Sequence, residues 1–454
     1  FILTKTHSVF MTKIAFVFLL FPFLAVAQNE AKTCEILSKI NTLIQSKHIQ
    51  PKPIDDSLSV FVFDTFIDNL DNSRNVFLKS EYDLLAKKYR FNIDDFIKDK
   101  NCSFLTEIVA IYKNDLLRNQ SILEKINLEN IDYKLNDTIR FYKKIFPIYM
   151  QKGDVEKVLK KKIRYEILED IAATNENRDS LNLNFDLLEQ ETKNRIIENE
   201  VCKINTILQN ETNYQETLYT IFCSYFDPHT AYFSNDSKSS FVASLSKEHL
   251  SLGMNVNLNK RNEIIVQELD ANGPASKTGK IKKGDQIVSI SNLKDTLQVS
   301  CATLESISNM ILSDSNKQIT LTLRRNSGKA FDVTIEKQLI KDEGNAVYSF
   351  VIENNNKKYG YVKIPSFYGD LEGNNGKGCA EDTAIEVLKL QKDNIKGLII
   401  DLTDNGGGSM EEAIKLAGMF IDSGPISIVV NNTQAQTVIN DPYKGMIYKD
   451  PIVV

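Results

Sequence analysis

The chain has 454 residues, 42% apolar and 25% charged, enough for roughly two to four domains and too apolar for wholesale disorder. Fifty-five Lys and Arg against sixty Asp and Glu give a net charge of −5 with no strongly basic block, which excludes a dedicated nucleic-acid binder, because neutralising phosphates needs a concentrated positive face. Four His and six Cys form no C-x-x-C, no H-E-x-x-H and no pairing at zinc-ligand spacing, so no metal and no other cofactor is expected.

The first Met is Met11, followed by Lys13 and an apolar run from Ile14 to Val26. That run is too short to span a bilayer and the right length for the core of a secretory leader. Ala25-Val26-Ala27 places small residues where a signal peptidase reads, with Gln28 as the mature start. The reading is a signal peptide over 11–27, cleaved near Ala27, and an exported protein. No later stretch is long and apolar enough to span a membrane. Cys34, Cys102, Cys202, Cys223, Cys301 and Cys379 lie far apart; six cysteines allow 15 full pairings, and spacing does not choose among them. Most are expected as small buried hydrophobes.

Residues 28–225 read as helices joined by short polar turns. Gly153-Asp154 marks a stop and an N-cap, after which Val155, Val158, Leu159, Ile163, Ile167 and Ile171 recur at three- and four-residue steps. Ile122–Ile131 and Ile196–Leu208 repeat the pattern more weakly, and these stripes are expected to face a core. Residues 226–237 read as a linker and the start of a further domain. There Asp227-Pro228-His229-Thr230 forms a turn in which His229 caps backbone, while His48 and His249 have no partner at readable spacing.

From 238 to 340 short β-type runs alternate with Gly-containing turns: Leu252–Leu258, Ile264–Leu269, Ile287–Ile290 and Ile319–Leu323, with a helix over Ala302–Leu312. After Glu343 the pattern becomes strand–helix–strand. Tyr361–Ile364 is a strand, Asp382–Leu390 a helix, Leu398–Leu402 a strand; a turn at Asn405-Gly406-Gly407-Gly408 then leads into a helix over Met410–Phe420. Such alternation predicts an α/β layer over 341–454, with strand carboxyl ends facing a site.

Two groups of motifs carry a resemblance. Ser251-Leu252-Gly253-Met254-Asn255-Val256, Gly273-Pro274-Ala275-Ser276 and the run from Gly279 through Gly284-Asp285 to Ile290 make the middle region similar to a PDZ domain. The likeness implies that backbone N–H groups beside Gly253 converge on a peptide's terminal carboxylate, each such bond worth about 1.5–3 kcal/mol. The peptide would add as a strand beside Met254–Leu258, its side chain among Leu252, Met254, Ile307 and Ile311, with Asn255 also in the loop.

Flanking this module are Phe226–Phe233, the run Tyr359-Gly360-Tyr361-Val362-Lys363-Ile364-Pro365-Ser366-Phe367, and Leu398–Gly408. With them the chain resembles the C-terminal processing peptidases, in particular their tail-specific protease branch. The implied fold is multidomain α+β: a helical N-terminal domain, a PDZ domain as a small β-module with two helices, and the incomplete α/β core of a Ser/Lys protease domain. The implied chemistry is a serine endopeptidase whose nucleophile is activated by a deprotonated lysine. Burial would have to bring that lysine from about 10.4 to near neutrality, about 4 kcal/mol of lost ammonium solvation. Gly407 and Gly408 are the oxyanion-hole candidates, such a donor being worth about 2.7–4 kcal/mol. The partners implied are unfolded or tagged proteins bound by their C-termini, and an adaptor.

Two departures stand out. The nucleophilic Ser and the base Lys would follow the strand at Pro451-Ile452-Val453, so both are absent from this chain, which reads as truncated before the dyad and inactive alone. Thr403 occupies the position where the family carries Arg after the Asp-Leu pair, which leaves the ion pairing of the turn unassigned. Ser409 reads as an N-cap rather than a nucleophile, lacking any G-x-S-x-G pattern. The alternative is a non-catalytic module that binds C-terminal peptides as a decoy or adaptor.

Overall fold

The structure, a computed structural model, describes residues 30–139, 150–174, 178–209, 212–245, 248–259, 263–302, 304–313, 316–325, 328–341, 346–369 and 377–454. The expected leader over 11–27 lies outside them. The chain divides into two compact units between Tyr232 and Phe233.

The first unit is helical: α1 (30–47), α2 (Asp56–Leu70), α3 (Lys79–Tyr89), α4 (Ile93–Lys98), α5 (Ser103–Leu128), α6 (Val155–Thr174), α7 (Arg178–Leu183), α8 (Phe185–Gln209) and α9 (Thr212–Ser224). The stripe Val155, Leu159, Ile163, Ile167 and Ile171 on α6 is buried throughout, as four-residue steps on a 3.6-residue helix require. Helix starts carry their own caps. Asp55 accepts the Ser57 N–H at 2.9 Å, and Glu81 reaches back to the Leu78 N–H at 2.8 Å. Cys34 and Cys102 depart from the expectation of buried thiols, because their sulfurs are bonded, with Cα atoms 5.6 Å apart across 68 residues. Cys223 and Cys379 are buried free thiols.

The second unit opens with α10 (Asn235–Ser244) and continues into β1 (Glu248–Ser251), β2 (Met254–Leu258), β3 (Ile264–Leu269), α11 (Pro274–Lys277), β4 (Gln286–Ser291), β5 (Thr296–Gln298), α12 (Leu304–Leu312), β6 (Gln318–Arg324), β7 (Ala330–Glu336) and β8 (Gln338–Lys341). Strands lie in the order β2-β3-β4-β6-β7, with β5 on β4; β1 pairs antiparallel with β8 as a separate ribbon. The alternation along β6 is clean: Ile319, Leu321 and Leu323 are buried, while Thr320 and Thr322 point the other way and meet Thr334 and Asp332 across β7. Burial of each such aliphatic is worth about 1.5–3 kcal/mol.

The last stretch adds β9 (Tyr348–Asn354), β10 (Lys357–Lys363), α13 (Cys379–Lys392), β11 (Leu398–Asp401), α14 (Met410–Gly418), β12 (Pro425–Val430), β13 (Gln436–Asn440) and β14 (Ile452–Val453). Its sheet runs β14-β11-β10-β9, parallel except for β9, as the strand–helix–strand reading predicts. Buried Val362, Ile364, Leu398 and Ile400 pack with Val387 and Leu390 of α13. The hairpin β12–β13 was not expected from the sequence pattern. No described helix is long and apolar enough to cross a membrane.

Candidate functional site

The groove residues gather at the start of β2. Leu252 and Gly253 form the corner between β1 and β2, and Gly253 takes φ +69°, a left-handed conformation suited to glycine. A Cβ there would stand 2.8 Å from Gly273 Cα and Pro274 Cδ, so the corner rests directly on the Gly273-Pro274 start of α11. The Leu252 carbonyl accepts the Ala275 N–H at 2.9 Å and the Gly253 carbonyl the Asp270 N–H at 3.0 Å, which locks the corner to the next loop.

Among the described residues β2 pairs on one side only, with β3. Met254 is registered opposite Leu269, and the bond from Asp270 N to Gly253 O makes that pair the non-hydrogen-bonded kind. The Met254 N–H and C=O therefore point to the open edge, available to an incoming strand. Met254 and Ile311 are half-buried and Asn255 is exposed, whereas Leu252 (2% exposed) and Ile307 (7%) lie in the module's own core. Met254 and Ile311 are thus the reachable apolar positions of the expected pocket.

The Gly284-Asp285 turn has a partner that sequence reading missed. Asp285, 1% exposed, accepts the Lys282 N–H at 2.9 Å and a bidentate pair from Arg325, Nε and Nη2 both at 2.7 Å. Burial pushes the Asp285 carboxyl up, but the Arg325 guanidinium and the Lys282 N–H outweigh it and hold its pKa below the ordinary value. The two residues are 40 apart, and only the β4–β6 register joins them.

The glycine turn sits at the carboxyl ends of parallel β10 and β11. Asp404 takes φ +62°, Gly407 +105° and Gly408 +140°. A Cβ on Gly408 would fall 2.4 Å from the Phe367 carbonyl oxygen, so close backbone approach demands glycine there. Phe367 N donates to Gly407 O at 2.8 Å, and Ser409 N to Phe367 O at 2.7 Å. Of the two oxyanion candidates, the Gly407 N–H is already donated to Asn405 Oδ1 at 2.8 Å. The Gly408 N–H has no partner among the described residues. Asn405 in turn donates to the Ile364 carbonyl at 3.0 Å. Ser409 accepts the Glu412 N–H at 3.3 Å as the N-cap of α14, as its sequence context predicts.

The cation that Thr403 does not supply comes from the neighbouring strand. Lys363 Nζ stands 3.2 Å from Asp401 Oδ1 and donates to the Thr403 carbonyl. The Tyr361 hydroxyl donates to Asp401 Oδ2, and the Thr403 N–H reaches Oδ1 at 2.7 Å. Thr403, then Tyr361, with Lys363 adding to them, hold the Asp401 carboxyl well below the usual carboxylate range. Glu412 was missed as well. It reaches from α14 to accept the Ala380 N–H at 3.0 Å, capping α13, whose own N-cap Gly378 has no side chain to do so.

In the first unit Asp227 caps the turn after Phe226. It accepts the His229 N–H at 2.6 Å and the Thr230 N–H at 3.0 Å, so His229 contributes backbone rather than its ring. His48, expected to be partnerless, lies 2.5 Å from Asp227 Oδ2 through Nε2. Its Nδ1 accepts the Gln50 N–H at 3.1 Å, which puts the ring proton of the neutral tautomer on Nε2. Thr230, His48 and His229 hold the Asp227 carboxyl well below its ordinary value. No cluster of three or more His, Cys, Asp or Glu able to hold a metal occurs among the described residues.

Comparison with known proteins matches three family descriptions in chain order. Residues 40–236 match the Tail specific protease N-terminal domain, 242–324 the PDZ domain, and 358–454 Peptidase family S41. The tail-specific protease of Haemophilus influenzae is 24% identical over 418 residues, which are 90% of this chain and 57% of that protein. The "Probable CtpA-like serine protease" of Staphylococcus aureus is 27% identical over 222 residues, 48% of this chain and 40% of that protein. The solved photosystem II D1 C-terminal processing protease is 16% identical, with a TM-score of 0.28, covering 54% of this chain and 63% of that one. The chain spans little more than half the length of the Haemophilus relative and less than half that of the Staphylococcus one.

Proposed function

We propose that this chain, which belongs to the C-terminal processing peptidase family, captures the C-termini of unfolded or tagged proteins in its PDZ groove and holds them for cleavage by Ser/Lys acyl transfer. The observation that carries the reading is the edge of β2 that no strand among the described residues pairs, with the Met254 N–H and C=O directed outward beside the Gly253 corner. An extended peptide adds there as a strand, and its carboxylate accepts from the amides of the corner, each bond worth about 1.5–3 kcal/mol. Apolar terminal side chains find Met254 and Ile311, the half-buried positions beside that edge.

The glycine turn supplies the electrophilic side of the chemistry. Gly408 offers the N–H for the oxyanion of a tetrahedral intermediate, while Gly407 keeps the turn in shape through Asn405. Asp401, Lys363 and Tyr361 brace the turn from β10 and β11. Neither nucleophile nor base is assigned to any residue from 1 to 454. For residues 1–454 the proposed role is the capture of C-termini, and hydrolysis rests on the family's Ser and Lys. We place the protein in the periplasm after removal of residues 11–27, a location that suits the Cys34–Cys102 bond.

The test is a pair of titrations and an assay. Peptides ending in a free apolar residue should bind at least tenfold more tightly than the same peptides amidated; equal affinity overturns the groove. The purified chain should leave an unfolded protein substrate intact over hours. Turnover would show that a nucleophile lies among these residues and that its placement outside them is wrong.

A further inference from the structure

We infer that the Ser251 hydroxyl is a built-in competitor for the ligand carboxylate, a latch that a peptide must displace to enter the groove; this rests on the groove reading above. Ser251 is the last residue of β1, and its Oγ accepts the Gly253 N–H at 3.1 Å. That N–H is central to the corner expected to receive a carboxylate. The hydroxyl oxygen therefore occupies a position that a ligand oxygen would take.

Three features make this a latch rather than a passive turn. The Gly253 N–H has little freedom to seek another acceptor, because φ +69° and contact with Gly273 and Pro274 fix its peptide plane. The Ser251 backbone is equally fixed, paired in register with Gln338 of β8. What remains free is χ1 of a serine, whose staggered wells interconvert at small cost. One rotation withdraws the oxygen and exposes the N–H without moving either strand.

The energetics set a threshold. A neutral N–H to hydroxyl bond contributes about as much as a bond to a neutral carbonyl, so an uncharged acceptor gains nothing net by displacing Ser251. A carboxylate makes a stronger, charge-assisted bond and gains the difference. The affinity of the groove for chain ends is therefore lower than the corner amides alone would give, by the strength of one neutral hydrogen bond.

The experiment uses the full 454-residue chain and the near-isosteric pair Ser251→Val and Ser251→Thr, both suited to a strand end. The probe is a fluorescent unstructured decapeptide ending in Val with a free carboxylate, alongside its amide. Ser251→Val is expected to bind the acid about threefold to tenfold more tightly than the unaltered chain, while Ser251→Thr, which keeps the hydroxyl, stays within about twofold. If the Val variant does not fold, Ser251→Ala takes its place with the same expectation. Unchanged or weaker binding of the acid by the hydroxyl-free variant, with the unaltered chain still preferring acid to amide, overturns the latch alone. Equal binding of acid and amide by the unaltered chain overturns the groove and the latch together.

Discussion

Replacing Cys34 and Cys102 together by Ala tests how the helical unit is held. The bond closes 68 residues, from α1 to the residue before α5, and ties that helix to a core containing Leu58, Phe63 and Phe104. In the chain-entropy description the cross-link removes 2.1 + 1.5R ln n cal/mol/K from the unfolded ensemble. For n = 68 this is about 15 cal/mol/K, or about 4 kcal/mol at 25 °C. Both cysteines are buried, so Ala also leaves a small void at each, adding to the loss. With a urea m-value of about 2 kcal/mol/M, the midpoint should fall by about 2 M. Helical circular dichroism is weighted toward this unit, which holds α1 to α9, while the second unit's shorter helices add a smaller share. A midpoint shift below about 0.5 M would mean that α1 is held by its buried Leu37 and Ile44 contacts and that the cross-link is incidental. A full shift would mean that the unit draws about 4 kcal/mol of its stability from the cross-link, which favours an oxidising compartment as proposed.

Other expectations are local. Arg325→Leu should destabilise the groove module at pH 7, by less than for a fully buried pair because the guanidinium is partly exposed, and chemical denaturation reads it. The Asp285 pKa is depressed on folding, so its contribution is present above the unfolded value of about 3.9 and is lost as pH falls through the folded one. The penalty of Arg325→Leu should therefore shrink below about pH 4; a penalty independent of pH would refute the ion-pair account. Gly408→Ala should cost about 3 kcal/mol or more through its overlap with Phe367, whereas Gly406→Ala, with open space around its Cβ, should stay within about 0.5 kcal/mol. Lys363→Met should raise the Asp401 pKa toward its ordinary value in a carboxyl NMR titration, and an unmoved titration would assign the depression to Thr403 and Tyr361 alone.

What could be read in advance follows the range of the interaction. The stripe from Val155 to Ile171, the alternation of Ile319, Leu321 and Leu323, and the Ser409 cap each act within a turn or across a pleat, and all three appear where periodicity and capping put them. Gly253 and Gly408 were legible for a related reason: a motif demanding glycine announces a backbone constraint, and positive φ with a close neighbour is what the structure holds there. The partners of charges were not legible. Asp285 finds Arg325 across 40 residues, Asp401 finds Lys363 across a parallel pair, Asp227 finds His48 across 179, and Cys34 finds Cys102 across 68. In each case the chain fold decides which complementary side chain arrives, and several lysines or histidines would have satisfied the local pattern equally.

The departure at Thr403 shows how the two ranges combine. Reading along the chain, the loss of a cation after Asp401 leaves the glycine turn unsupported. Reading across the sheet, Lys363 is registered opposite Asp401 itself, and its four-carbon stem spans from β10 to the carboxylate and on to the Thr403 carbonyl. A parallel register makes this exchange inexpensive, since residues level on neighbouring strands lie about 4.8 Å apart and share one face. The electrostatic requirement belongs to the turn, and either strand is able to meet it. The absence of a motif residue from its own position is therefore weak reason to doubt a site whenever the adjoining strand carries the same charge at the same level.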